Sequence, residues 1–167
     1  MSLAAPEAAG AANLAGKVIR DVARPLDTSE AMPPLLAVAN TDSLGEQIQR
    51  ALPETRVVKS LNTMLADTMV DPSRIPGQHN VFVAGEDADA RATVKSLLSG
   101  FGWPDEAIID LGGIRGTRGT ETYSRPLHGV SRARHVRLQP RHRAQVTPRH
   151  CAVTPSVSWR VVTDAAD

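Results

Sequence analysis

Two short groups of residues close apolar runs in this chain: Arg24-Pro25 follows Val18-Ile19-Arg20-Asp21-Val22-Ala23, and Asn62-Thr63 follows Arg56-Val57-Val58-Lys59-Ser60-Leu61. If the runs are strands of an open α/β sheet, the ligand crevice lies beyond their carboxyl ends. Arg24, Pro25, Asn62 and Thr63 are therefore the candidate binding residues. Two of them also have a purely structural reading: Asn62 fits a side-chain amide that caps the turn after a strand, and Pro25 fits a strand stop. Neither a catalytic triad nor a carboxylate dyad stands out. His128, His135, His142 and His150 recur every seven or eight residues, but zinc sites need closer ligand pairs and a supporting fold, so no metal is expected. Cys151 is the only cysteine, which excludes an intramolecular disulfide and a cysteine-based metal set. Arg118 suits either a phosphate or a surface ion pair. Glu121 reads as a helix-start carboxylate.

The elements that position these residues alternate. Val18 to Ala23, Arg56 to Leu61, Asn80-Val81-Phe82-Val83-Ala84-Gly85 and Ala107-Ile108-Ile109-Asp110-Leu111 read as four strands of a largely buried sheet. Between them, Ser43 to Ala51 is helical, with Ser43 and Glu46 at capping-box spacing and Pro53 beyond it. Met64 to Met69 suggests a short helix. Asp87 caps the clearest helix, through Ser99, where Ala90, Val94, Leu97, Leu98 and Phe101 recur at the 3.6-residue period. Strands alternating with helices predict an α/β layer architecture with a mostly parallel sheet. Gly112 to Thr120 reads as a glycine-rich loop, and no regular period persists beyond Tyr123.

Charge divides the chain more sharply than its net +1 suggests. Met1 to Glu121 holds eleven Lys/Arg against sixteen Asp/Glu, whereas Thr122 to Thr163 holds eight arginines, no lysine, no acid and four of the five histidines. The sequence thus predicts two regions, an α/β unit over residues 1–123 and an Arg/His-rich, poorly ordered tail over 124–167 that buries too little to offset its conformational entropy. No apolar run approaches the ~18 to 20 residues that cross a bilayer, and the N-terminus lacks a signal-peptide pattern. The expectation is a soluble, cytoplasmic protein. Nucleic-acid binding by the tail arginines, with Trp159 stacking on a base, is the alternative function.

Several ordered segments resemble the NADPH-dependent coenzyme F420 oxidoreductase family, a Rossmann-type group. Lys17 to Asp27 is similar to a family strand and loop in which Asn normally stands at the place of Arg24. Asn40-Thr41-Asp42-Ser43-Leu44-Gly45-Glu46-Gln47-Ile48-Gln49-Arg50 resembles its capped helix, and Val57-Val58-Lys59-Ser60-Leu61-Asn62-Thr63 resembles the V-V-K-x-x-N-T strand end. Phe101-Gly102-Trp103-Pro104, Ile109-Asp110-Leu111-Gly112 and Arg118-Gly119-Thr120-Glu121 resemble the segments that close the family's domain. The resemblance implies a partial Rossmann-type parallel sheet with flanking helices, NADP and coenzyme F420 as cofactors, and Arg24, Pro25, Asn62 and Thr63 beside the nicotinamide or deazaflavin ring.

The chain also departs from that pattern. It has no G-x-G-x-x-G, the loop whose bare backbone approaches a pyrophosphate at a helix N-terminus. Arg24 in place of Asn puts a larger charged group where it would crowd a ring or reach a phosphate. The expectation is an impaired relative, lacking its front strands and prone to self-association along the exposed sheet edge. The tail suggests a shifted reading frame. Read one base later, codons for His135 to Pro140 permit M-F-V-F-N-L, and those for Arg141 to Thr147 permit A-I-V-R-K and a stop, which resembles the family's ending. The expectation is a frameshift between about Thr122 and His128.

Overall fold

The computed structural model describes residues 4–29 and 34–130. Two short helices, α1 (Ala4–Ala9) and α2 (Ala11–Leu14), lead into strand β1 (Val18–Asp21). A small antiparallel ribbon of β2 (Leu26–Asp27) and β3 (Leu35–Leu36) follows. Helix α3 (Leu44–Ala51), strand β4 (Arg56–Ser60) and helix α4 (Ala66–Val70) come next. The chain ends its described course with β5 (Val81–Gly85), α5 (Ala88–Gly100), β6 (Ile108–Asp110) and α6 (Thr117–Val130).

The four main strands form one sheet in the order β1-β4-β5-β6. All four lie where the apolar runs placed them. β1 pairs parallel with β4, and β5 parallel with β6, while β4 and β5 run antiparallel. Helices α3 and α5 lie in the crossovers of the two parallel pairs, as parallel connections usually require. The connection from β4 to β5 carries only the five-residue helix α4, and there the chain turns back antiparallel.

Alternation along the strands sends side chains to two cores. Val58, Val81 and Val83 pack with Ala90, Val94 and Leu98 of α5, and Trp103 closes that core. On the other face Val57 packs against Leu44, Ile48 and Leu52 around α3, with Ile19 and Ile114 beside them. Asp87 caps α5 by accepting from Ala90 N at 2.7 Å, as the sequence predicts. Ser43 caps α3, its Oγ accepting from Glu46 N at 3.2 Å.

Helix α6 was not legible in the sequence. The glycine-rich segment gives a turn at Ile114–Gly116 and then a helix that begins at Thr117 and continues past Tyr123 to Val130. Its anchors are polar, which hides the apolar period: Thr117, Thr120 and Glu121 are all buried. Apart from the backbone of 124–130, the basic tail and its alternative readings lie outside the described residues.

Candidate functional site

Because β1 and β4 are parallel, their carboxyl ends reach the same end of the sheet, and the antiparallel register brings the start of β5 there as well. The loop 22–25 and the segment 61–63 thus lie at the same end of the sheet as the entries to β5 and β6. The architecture brings the four candidate residues to one end.

At the end of β4, Leu61 adopts φ 64, a left-handed conformation that costs a non-glycine residue roughly 1–2 kcal/mol. Its side chain is nevertheless buried in the α5-side core, which holds the strained backbone in place. The turn places Asn62 at 2% exposure. Its Nδ2 is buried and donates to nothing among the described residues. The structural reading of Asn62, an amide spent on capping its own turn, therefore leaves its donor unexplained. Thr63 is half-buried beside it.

At the end of β1, the backbone of Ala23 is clamped from both sides. Its N–H donates to Asp21 Oδ1 at 2.8 Å, and its carbonyl accepts from Lys59 Nζ at 2.8 Å. Pro25 is buried, and its carbonyl accepts from Ala37 N at 2.8 Å, tying the loop to the ribbon of β2 and β3. Arg24 lies half-buried between these two fixed points.

Sequence reasoning missed the group beneath this loop. Lys59 is fully buried on β4, and its Nζ lies 2.5 Å from Asp21 Oδ2 and 2.9 Å from Glu121 Oε1. With the Ala23 carbonyl, that gives its three N–H groups three acceptors. The available signal was a lysine inside V-V-K-S-L, a charge at a position whose neighbours are all buried. Glu121 also accepts from Leu44 N at 2.9 Å and Gly45 N at 3.0 Å. A carboxylate of the chain itself fills the anion-favouring start of α3. Glu121 does sit at a helix start, but the helix is α3.

Arg118 is likewise committed. Its Nε and Nη2 donate to the two oxygens of Glu46 at 2.7 and 2.6 Å, and this pairing holds the Glu46 carboxyl below its ordinary range and raises the guanidinium further. The phosphate reading of Arg118 gives way to the ion pair. Among the described residues no group of His, Cys, Asp and Glu is placed to hold a metal, and no helix is long and apolar enough to cross a membrane.

A solved structure from Arthrobacter sp. FB24, described as a candidate F420-dependent NADP reductase, matches this chain at a TM-score of 0.76 and 53% sequence identity, covering 79% of this chain and 59% of that one. This similarity supports the resemblance to the F420-dependent NADP reductase family. It spans 59% of that relative's length. The mixed sheet flanked by helices is the Rossmann-type architecture that the resemblance implied. A hypothetical protein of Sinorhizobium meliloti also matches, at a TM-score of 0.49 and 24% identity over 62% of this chain and 48% of that one. No protein-family model and no curated protein matches the chain.

Proposed function

We propose that this chain carries the ring-facing part of a site for hydride transfer between NADP(H) and coenzyme F420, formed by Arg24, Pro25, Asn62 and Thr63. The observation that carries this reading is the buried, unpartnered Nδ2 of Asn62 behind the strained Leu61. A buried amide donor without an acceptor costs about 1–3 kcal/mol, and strain of this kind concentrates at ligand sites. A ring bearing a carbonyl or carboxamide oxygen would satisfy that donor, so the residues present fit either cofactor.

The bound cofactors supply the hydride chemistry, and the protein's part is alignment. Asn62 binds, the clamped Ala23 backbone fixes the loop bearing Arg24 and Pro25, and the buried walls around Leu61 exclude water. The two-region division at residue 123 belongs to this reading, with residues 1–123 as the partial NADP-binding unit. So does weak NADPH affinity, since no G-x-G-x-x-G occurs in the sequence, and a pyrophosphate then lacks its usual backbone cradle. Self-association follows from β1, which among the described residues has no strand on its outer side and offers an edge to a second copy.

Titration of the purified chain with NADPH and with F420, by calorimetry and by deazaflavin fluorescence, tests the reading. Binding of either cofactor that falls roughly tenfold or more in Asn62→Leu is expected. Binding unaffected by that substitution, or no binding of either, overturns it. Light scattering that shows only monomer removes the self-association part.

A further inference from the structure

We propose that the outer edge of β1 is a docking site for an extended, acidic segment of a partner protein, which adds to the sheet as a strand and sets a carboxylate against Arg20. The inference goes beyond the cofactor reading and does not rest on it. β1 stands at the end of the sheet, with β4 on one side and no strand on the other among the described residues. Arg56 N donates to the Lys17 carbonyl at 2.9 Å, so Lys17 and every second residue after it turn their backbone groups toward β4. The N–H and C=O of Val18 and Arg20 consequently point outward. Such groups are a template for another chain, and a strand that joins them gains affinity from main-chain hydrogen bonds.

Charge decides what this edge selects. Arg20 is half-buried and has no carboxylate partner among the described residues. Its guanidinium lies 5.6 Å from the centre of the Phe101 ring, which holds the group over the α5 side of the sheet, and Nη1 is buried there without an acceptor. Nη1 is the sealed corner; the rest of this half-buried side chain is what a carboxylate meets. A partly desolvated cation gains more from such a contact than a fully hydrated one does. Lys17 is exposed before the strand and Arg24 half-buried after it, so basic residues run along the edge. The acid of β1, Asp21, points to the opposite face and is held by Lys59.

A second copy of the chain fits this edge less well. Antiparallel pairing about a two-fold axis keeps each face of the sheet continuous, so both Arg20 side chains would stand on the α5 face, opposite or diagonal to each other. Like charges so placed are destabilising. An acidic strand reverses that sign, and it competes with self-association at the same edge. The neighbours of Arg20 on its face refine the partner. Val18 packs at the margin of the α5-side core, and Val22 is 40% exposed. The matching strand therefore carries a Glu or Asp with apolar residues two positions before and after it.

Fluorescence anisotropy of the labelled pentapeptide Val-Thr-Glu-Thr-Val, titrated with the full chain, tests the proposal. It should bind roughly fivefold or more tightly than Val-Thr-Gln-Thr-Val, and Arg20→Gln should abolish the preference. Arg20→Glu should invert it in favour of Val-Thr-Lys-Thr-Val, a gain of binding that damage to the fold would not produce. Of two acidic peptides N-methylated on alternate residues, one should bind and the other should not, because only one set of amides faces β1. Where the free chain self-associates, light scattering should show the acidic peptide dissociating it. Equal binding of the Glu and Gln peptides, a preference that survives Arg20→Gln, no binding at all, or N-methylation without effect in either pattern overturns the proposal. Chain that stays associated at saturating peptide also overturns it and assigns the edge to a second copy.

Discussion

Lys59 and Asp21 form an ion pair on adjacent parallel strands, Nζ to Oδ2 at 2.5 Å, with side-chain exposures of 0% and 5%. Glu121 of α6 is the second carboxylate on the same ammonium, at 2.9 Å. One cation thus joins β1, β4 and α6, and through Glu121 it reaches the first turn of α3. Removing the ammonium takes the shared cation from two buried carboxylates, and breaking a buried pair in this way costs about 3–5 kcal/mol. Lys59→Met should therefore lower unfolding free energy by about that amount in urea titrations. A loss below about 1 kcal/mol would show that the pair is no more than a surface-strength interaction.

Asn62 should behave in the opposite sense. Its Nδ2 is buried without an acceptor, so replacing the amide with an apolar group of similar size removes a desolvation penalty. Asn62→Leu is expected to leave the thermal midpoint unchanged or raised while cofactor affinity falls. A residue that served only to cap its turn would show the reverse, a lowered midpoint with affinity intact.

The contrast between these two positions shows what the sequence could reveal. Strands and the α3 and α5 helices were legible because their burial follows apolar period and their caps, Ser43 and Asp87, are local. Asn62 was legible as a site candidate because strand ends are predictable. Lys59, Asp21 and Glu121 come from positions far apart in the chain, and their meeting depends on the β1–β4 register and on α6 docking. Helix α6 itself was hidden because Thr117, Thr120 and Glu121 are buried through polar contacts, so hydrophobic periodicity does not report them.

Acid should weaken the junction of α3 and α6. Arg118 holds the folded-state pKa of Glu46 below the ordinary value of 4.5. The stabilisation is therefore fully present above the unfolded value and is lost as pH falls through the folded one. Thermal midpoints of wild type and Glu46→Gln, followed from pH 6 to about pH 3, should converge on acidification. Parallel curves would mean that the Glu46–Arg118 pair adds nothing that depends on its charge.

The same junction makes a steric prediction at Gly45. A Cβ built on Gly45 would lie 2.9 Å from Thr117 Cγ2, closer than packed side chains approach, and Thr117 is itself fixed by Ser43 Oγ at 2.6 Å and the Ile114 carbonyl at 2.7 Å. Alanine ordinarily favours a helix over glycine by about 0.5–1 kcal/mol, but overpacking costs about 1–3 kcal/mol. With Thr117 buried and doubly bonded, the clash should win, and Gly45→Ala should destabilise. Thr117→Ser removes Cγ2 while keeping the hydroxyl. In that background Gly45→Ala should cost less, because the closest contact is gone while those to Thr117 Cβ at 3.2 Å and Oγ1 at 3.3 Å remain. A double-mutant cycle by urea unfolding therefore expects a favourable coupling between the two substitutions, and additive effects would show that α3 and α6 are not held at this distance.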